Sequence, residues 1–173
     1  IPQAKAAMAA VEGATSAKVL SVDKRSRKQQ PPVPFNTTSL MTAASAEGLS
    51  PARTMRLAES LYMDGYISYP RVDNTVYPSS LDLEEDVKTI SGNPAYAPFC
   101  KELLAKGPLT ATRGKKETTD HPPIYPTAMV TPDDLPPAEY KLYNLIARRF
   151  LATLSEAAVV EGTKVTLDIS GEH

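Results

Sequence analysis

Residues 67–74 read Ile67-Ser68-Tyr69-Pro70-Arg71-Val72-Asp73-Asn74, so a tyrosine, an arginine and an aspartate follow at two-residue steps. A phenolic oxygen can act as a nucleophile towards phosphorus, and an adjacent guanidinium has a planar fork of donors suited to the phosphate under attack. Alternation on an extended chain puts Tyr69 and Arg71 on a common side, unless Pro70 bends the path. The plainer reading is a tyrosine packed at a strand end, ring inward and hydroxyl outward. None of the patterns GxGxxG, Walker loop, HExxH or GxSxG occurs. With one cysteine, Cys100, and two histidines, the chain has no internal disulfide framework or cysteine-rich zinc site, and a self-contained metal cage is not expected.

The elements that must hold these residues follow from periodicity and punctuation. Thr37 or Thr38 can cap a helix that carries Leu40, Met41 and Ala44 on one face and closes at Gly48. Ser50 and Pro51 form a cap and first-position pair for a second helix, in which Met55, Ala58, Leu61 and Tyr62 recur at helical steps before Gly65. Two helices joined by a short turn make a helix-turn-helix, which either binds DNA or simply buries two apolar stripes; the pattern leaves both open. Tyr66 to Tyr69 alternates as a strand would, and Pro70 ends regular pairing. Leu81, Val87 and Ile90 then define an acidic helix capped by Ser79 or Ser80. Tyr96, Phe99, Cys100, Leu103 and Leu104 give a further short helix ending at Gly107, with Cys100 a structural thiol on its apolar face. Residues 108–137 hold seven prolines and the group Arg113, Lys115 and Lys116, a long irregular stretch of the kind that often carries function. From Ala138, the series Tyr140, Tyr143, Leu145, Ile146, Phe150, Leu151 and Leu154 is a strong amphipathic helix.

The two ends differ in character. Gln3 to Val11 is Ala-rich helix material, Val19 to Lys24 a strand passing into a basic run, and Pro31 to Phe35 an extended boundary. Lys164 to Ile169 alternates again, predicting a half-buried strand with Val165, Leu167 and Ile169 inward, cut off at Gly171 to His173. This predicts an α+β fold in which a helical domain of residues 36–157 is inserted in a β lobe made of 1–35 and 158–173. A length of 173 residues, 42% hydrophobic and 23% charged residues, and a formal charge of −1 argue against disorder and against a general polycation. Phosphate contacts must therefore come from local patches. In residues 18–28 five basic side chains, Lys24 and Arg25 among them, meet only Asp23, a local charge of +4. That run is either a solvated strand edge or a phosphate-binding patch. No apolar run approaches the ~18–20 residues needed to span a bilayer, and the start lacks an export signal, so a soluble cytoplasmic protein is expected.

Three blocks carry a family resemblance: Pro32-Val33-Pro34-Phe35-Asn36-Thr37-Thr38-Ser39-Leu40, then Leu49 to Tyr62 with Ser50-Pro51-Ala52-Arg53-Thr54-Met55-Arg56 at its start, then Gly65 to Asn74. Together they resemble the active-tyrosine region of type IA DNA topoisomerases, most nearly that of the archaeal enzymes and their topoisomerase III relatives. Asp120-His121-Pro122-Pro123-Ile124-Tyr125-Pro126-Thr127 is similar to the family's histidine motif. By motif position the resemblance implies Tyr69 as nucleophile, Arg71 as the arginine beside it, His121 as the histidine near the cleaved strand and Asp73 as a positioning residue. For His121 without the resemblance, a loop histidine satisfied by its neighbours would be the plainer reading. Arg53 and Arg56 on the second helix join Lys24 and Arg25 as candidate DNA contacts. The chain departs from the pattern at Glu59, where the family commonly has glutamine, and at Pro122-Pro123, where it usually has a residue with alanine.

The resemblance also implies an architecture and a chemistry. The fold expected is a helical tyrosine-bearing domain with a helix-turn-helix, winged-helix-like element, inserted in a β-rich arch. The family's reaction breaks one strand of negatively supercoiled DNA through a 5′-phosphotyrosyl ester, passes another strand and reseals without ATP. A phenol is protonated at neutral pH, so attack needs proton removal or a strongly cationic site. The family takes Mg2+ on a toprim domain, whose acidic pattern does not occur here, so the chain reads as an internal piece with single-stranded DNA and that toprim domain as partners and a nucleoid-associated location. The rival is a non-catalytic helix-turn-helix DNA-binding or scaffold module, distinguished by whether Tyr69, Arg71 and His121 converge.

Overall fold

The computed structural model describes residues 2–169. Ile1 and residues 170–173, which include the expected strand end at Gly171 to His173, lie outside it. Two compact units divide the chain: residues 31–156 form one, and residues 1–30 with 157–173 form the other.

In the second of these, helix α1 (Pro2–Val11) precedes strand β1 (Lys18–Gln29), which pairs antiparallel with β2 (Ala158–Asp168). The register runs from Lys18 opposite Asp168 to Gln29 opposite Ala158, with an irregularity between Val19 and Ser21. Every β1 side chain is exposed, as are Val165 and Leu167 of β2, so the expected inward face of that strand is not buried. Alternation in sequence fits a strand with one covered face, but a two-stranded ribbon has no second layer of its own to cover it.

The 31–156 unit is helical: α2 (Thr37–Ala46), α3 (Pro51–Met63), α4 (Leu83–Ile90), α5 (Ala97–Ala105) and α6 (Pro137–Thr153). Helix α6 is its spine and buries Leu142, Tyr143, Ile146, Ala147, Phe150, Leu151 and Thr153. Helices α2 and α3 pack on each other and on α6, supplying Leu40, Ala44, Ala58 and Leu61, while α4 packs on α5. Phe35, Ile67 and Ile124 fill the same core from irregular segments. Arg149 of α6 lies 4.1 Å from the centre of the Phe35 ring and donates to the Val33 carbonyl at 3.2 Å, pinning the proline-rich entry to the helix.

Local chemistry accounts for where the helices start, in part differently from expectation. Helix α2 is capped by Asn36, not Thr37 or Thr38: the Asn36 side chain accepts from the Ser39 N–H at 2.9 Å while the Ser39 hydroxyl accepts from the Asn36 N–H at 3.0 Å. This frees Thr37 for a contact described below. Helix α3 begins as expected at Ser50 with Pro51 in its first turn. Helix α4 is capped by Asp82 rather than a serine, since a carboxylate at a helix N-terminus accepts the free N–H groups and meets the positive dipole end. Cys100 is buried, and burial pushes its thiol up, which fits a structural role, whereas Phe99 of the same helix is exposed. Among the described residues no helix is long and apolar enough to cross a membrane.

Candidate active site

Helix α3 ends where Gly65 adopts φ +80°, a conformation that costs other residues steric strain, and the chain turns out of the helix into the 66–77 segment. The alternation of 66–69 does not give a strand. Ile67 makes one isolated antiparallel bridge, with Pro126. The reason lies in the partner: Pro122, Pro123 and Pro126 have no N–H and cannot sustain a ladder. No wing of strands follows α3 among the described residues.

Single backbone bonds and short polar side chains replace the missing ladder. The Ser68 N–H donates to the Tyr125 carbonyl at 3.0 Å, and the Ser68 hydroxyl donates to the Pro123 carbonyl and accepts from the Tyr125 N–H, both at 3.0 Å. On the other side Thr37, at the first position of α2, donates from its N–H to the Val72 carbonyl at 2.9 Å and from its hydroxyl to Pro70 at 2.7 Å, while accepting from the Val72 N–H at 2.8 Å. Thr75 binds Lys116 through backbone and hydroxyl, and Gly114 donates to the Thr75 carbonyl at 2.9 Å. Gly114 must stay small there, because a Cβ would lie 2.2 Å from the Thr75 hydroxyl oxygen. Asn74 reaches the Thr118 and His121 carbonyls. The tyrosine segment is thus held between the start of α2 and the 112–127 loop, bringing together groups far apart in sequence.

At the surface of this arrangement the Tyr69 and His121 rings lie 4.7 Å apart, tilted by 47°, and Tyr62 of α3 meets Tyr69 edge-on at 5.3 Å. Tyr62, expected on the apolar stripe of α3, is therefore an exposed wall of the site at 40% exposure. Tyr69 is half-buried, whereas Arg71, Asp73 and His121 are exposed. Arg71 turns back to α3, where Nε donates to Glu59 Oε1 at 2.8 Å and a second guanidinium nitrogen pairs with the same oxygen. Asp73 pairs with Lys116. Asp120 lies below the usual carboxylate range, held there first by the Thr118 hydroxyl and then by the His121 N–H. Arg71 and Lys116 each pair with a carboxylate, the same kind of oxygen pair that a phosphate presents.

Of the candidate DNA contacts, Arg53 and Arg56 are exposed on α3, and Lys24 and Arg25 are exposed on β1, where Arg25 lies 3.6 Å from Asp23. Sequence reasoning missed Lys116 as the partner of Asp73, and the stitching roles of Thr37, Ser68 and Asn74. Their partners stand 33 or more residues away, so only the motif blocks themselves hinted at them. Among the described residues no group of three or more His, Cys, Asp and Glu side chains could hold a metal ion.

The fold is a mixed helix-and-strand fold similar to that of a topoisomerase I. The structure of full-length topoisomerase I from Thermotoga maritima matches with a TM-score of 0.59 and 27% identity over 87% of this chain and 25% of that one. The family model described as DNA topoisomerase matches residues 2–173, and the chain belongs to that family, in its type IA branch. DNA topoisomerase 1 of Archaeoglobus fulgidus is 44% identical over 156 residues, which are 90% of this chain and 23% of that protein. DNA topoisomerase 1 of Thermoplasma acidophilum is 46% identical over 124 residues, 71% of this chain and 16% of the relative. DNA topoisomerase 3-beta-1 of mouse is 35% identical over 156 residues, 90% of this chain and 18% of the relative. The chain thus spans less than a quarter of the length of these curated relatives.

Proposed function

We propose that this chain is the tyrosine-bearing part of a type IA DNA topoisomerase and that Tyr69 is its nucleophile. The Tyr69 oxygen forms a bond to the phosphorus of a single-stranded DNA phosphodiester, the 3′ oxygen leaves and takes up a proton, and a 5′-phosphotyrosyl ester remains. Another strand passes through the gap, the 3′-hydroxyl attacks the ester, and Tyr69 is released with no net change in bonds and no ATP. Negatively supercoiled DNA relaxes as a result. The observation that carries this reading is the Tyr69 and His121 ring pair at 4.7 Å, with Arg71 two residues further along.

In this reading Arg71 exchanges Glu59 for the scissile phosphate and stabilises the charge that develops on its oxygens. His121, beside the phenol, moves a proton or holds the cleaved strand. Asp73 keeps Lys116 at the edge of the site. Arg53, Arg56, Lys24 and Arg25 contact backbone phosphates, and Tyr62 and Tyr69 offer faces for bases. The residues described here do not form a Mg2+ site, so the metal is assigned to a toprim segment supplied by the larger protein and no step is routed through it. Residues 36–157 are read as the catalytic-tyrosine domain with α2 and α3 as its helix-turn-helix, and residues 1–35 and 158–173 as parts of a β-rich arch. The compactness of residues 31–156 and the β1–β2 pairing support this division. The location that follows is the nucleoid.

The test mixes the purified chain with negatively supercoiled plasmid and magnesium, with and without a separately produced toprim domain. Relaxation is expected only in the mixture, and Tyr69→Phe should abolish it because only the attacking oxygen is removed. Full activity of that variant would reject Tyr69. Salt-sensitive DNA binding with no relaxation under any condition would favour a binding module.

A further inference from the structure

We propose that Asn74 is the positioning residue that sets His121 against Tyr69. Asn74 is 2% exposed, yet both amide donors and its carbonyl oxygen are hydrogen-bonded. Nδ2 donates to the Thr118 carbonyl at 2.9 Å and to the His121 carbonyl at 3.0 Å, and Oδ1 accepts from the Val76 N–H at 3.0 Å. A flipped amide would aim oxygen at two carbonyls and NH2 at an N–H, so the surroundings fix the orientation shown. By drawing the carbonyls of residues 118 and 121 to one nitrogen, the side chain closes the loop into a turn and places the His121 backbone. The anchor is itself fixed, because the Asn74 segment is held at Val72 by Thr37 and at Thr75 by Lys116 and Gly114. Ser68, on the other side of Tyr69, ties Pro123 and Tyr125 to the same segment. The histidine loop is therefore bound to the tyrosine segment on both sides of the Tyr69 and His121 pair, and Asn74 makes the bond nearest the histidine.

At 2% exposure Asn74 presents almost no surface to a bound strand, so it acts through His121 and not on DNA. Its relevance to strand cleavage rests on the topoisomerase reading; its effect on His121 does not.

Solution NMR of the full chain tests it. In the wild type, protons of the Tyr69 and His121 rings, whose centres are 4.7 Å apart, should give cross-relaxation peaks. Asn74→Ala should lose those peaks and shift the His121 ring signals, while the buried rings of Tyr143 and Phe150 keep theirs. A folded variant with unchanged Tyr69 to His121 peaks overturns the proposal, since an asparagine that only stabilised the fold would behave in that way. If the variant does not fold, the wild type decides. The Asn74 side-chain amide protons, with two ordinary hydrogen bonds, should exchange on the order of tenfold more slowly than a free carboxamide; exchange at the free rate overturns it. In a parallel arm, binding of a short single-stranded oligonucleotide is measured for the wild type and the folded Asn74→Ala variant. Failure of both proteins to bind it would count against the topoisomerase reading, while the NMR result alone would still decide the role of Asn74.

Discussion

In the proposed function Glu59 competes with DNA for Arg71, and the size of that competition can be estimated from the structure. Arg71 directs Nε and a second nitrogen at one Glu59 oxygen, the donor fork that would otherwise grip a phosphate. The pair is not buried: the side chains are 59% and 43% exposed, so water and salt screen it strongly. Exposed pairs of this kind contribute ~0.2–1 kcal/mol. A phosphate that displaces Glu59 must overcome this amount, so Glu59→Gln, which keeps an acceptor and removes the charge, should tighten single-stranded DNA binding about 1.4- to 5-fold. If the freed guanidinium neutralises one more phosphate, the slope of log affinity against log salt should steepen by about 0.7.

The assay is fluorescence anisotropy of a labelled single-stranded oligonucleotide, titrated at several salt concentrations with wild type, Glu59→Gln, Arg71→Ala and the double variant. Removing any negative charge near DNA would help binding somewhat, and the double-mutant cycle separates that effect from the ion pair. The gain from Glu59→Gln should shrink to that general part when Arg71 is already alanine. An equal gain in both backgrounds would refute the competition and leave only general repulsion. Weaker binding by Glu59→Gln would also refute it, by showing that the carboxylate preorganises Arg71 for DNA.

Other expectations concern the frame of the site. Ser68→Ala leaves the Pro123 carbonyl and the Tyr125 N–H without their partner in a buried place, and urea denaturation should show a loss of about 1–3 kcal/mol. Gly114→Ala would put a Cβ 2.2 Å from the Thr75 hydroxyl oxygen, and overpacking against that anchored residue should cost about 1–3 kcal/mol in the same experiment. Desolvation, followed by the neighbouring charges of Asp82 and Glu85, pushes the Asp86 carboxyl up to about 6, and its Oδ2 is buried without a partner. Because the folded value lies above the unfolded one, the folded chain binds the proton more tightly, and Asp86 detracts from stability as pH rises through about 6. Asp86→Asn should therefore raise the melting temperature at pH 7, remove that part of the pH dependence, and change little at pH 4, where the wild-type carboxyl is protonated in the folded chain. An unchanged melting temperature at pH 7 would show that Asp86 is solvated.

What could be read from the sequence, and what could not, divides along the range of the interactions. Helices α3 and α6 follow from apolar steps and local caps, all within a few residues, and Gly65 marks the end of α3 by its own backbone freedom. Where several local signals compete, as for the cap of α2, the choice of Asn36 over Thr37 depends on a distant need: Thr37 is engaged with Pro70 and Val72. The alternation at 66–69 and at 164–169 misled for a related reason. A period of two reports that a segment suits a pleated surface, but not whether a partner can complete the ladder or a layer can cover it. Pro122, Pro123 and Pro126 deny the first segment its ladder, and the ribbon form leaves the second exposed. The motif blocks supplied Tyr69, Arg71 and His121 as residues, yet no periodicity could bring residue 69 to residue 121. That approach depends on Ser68 and Asn74, short polar side chains whose type alone suggests an ordinary turn. Their burial is what distinguishes them: a carboxamide at 2% exposure and a hydroxyl at 9% persist in a core only when bonded, and both are bonded to the histidine loop. The tyrosine and histidine thus meet through hydrogen bonds that hold two irregular segments together in place of a strand ladder.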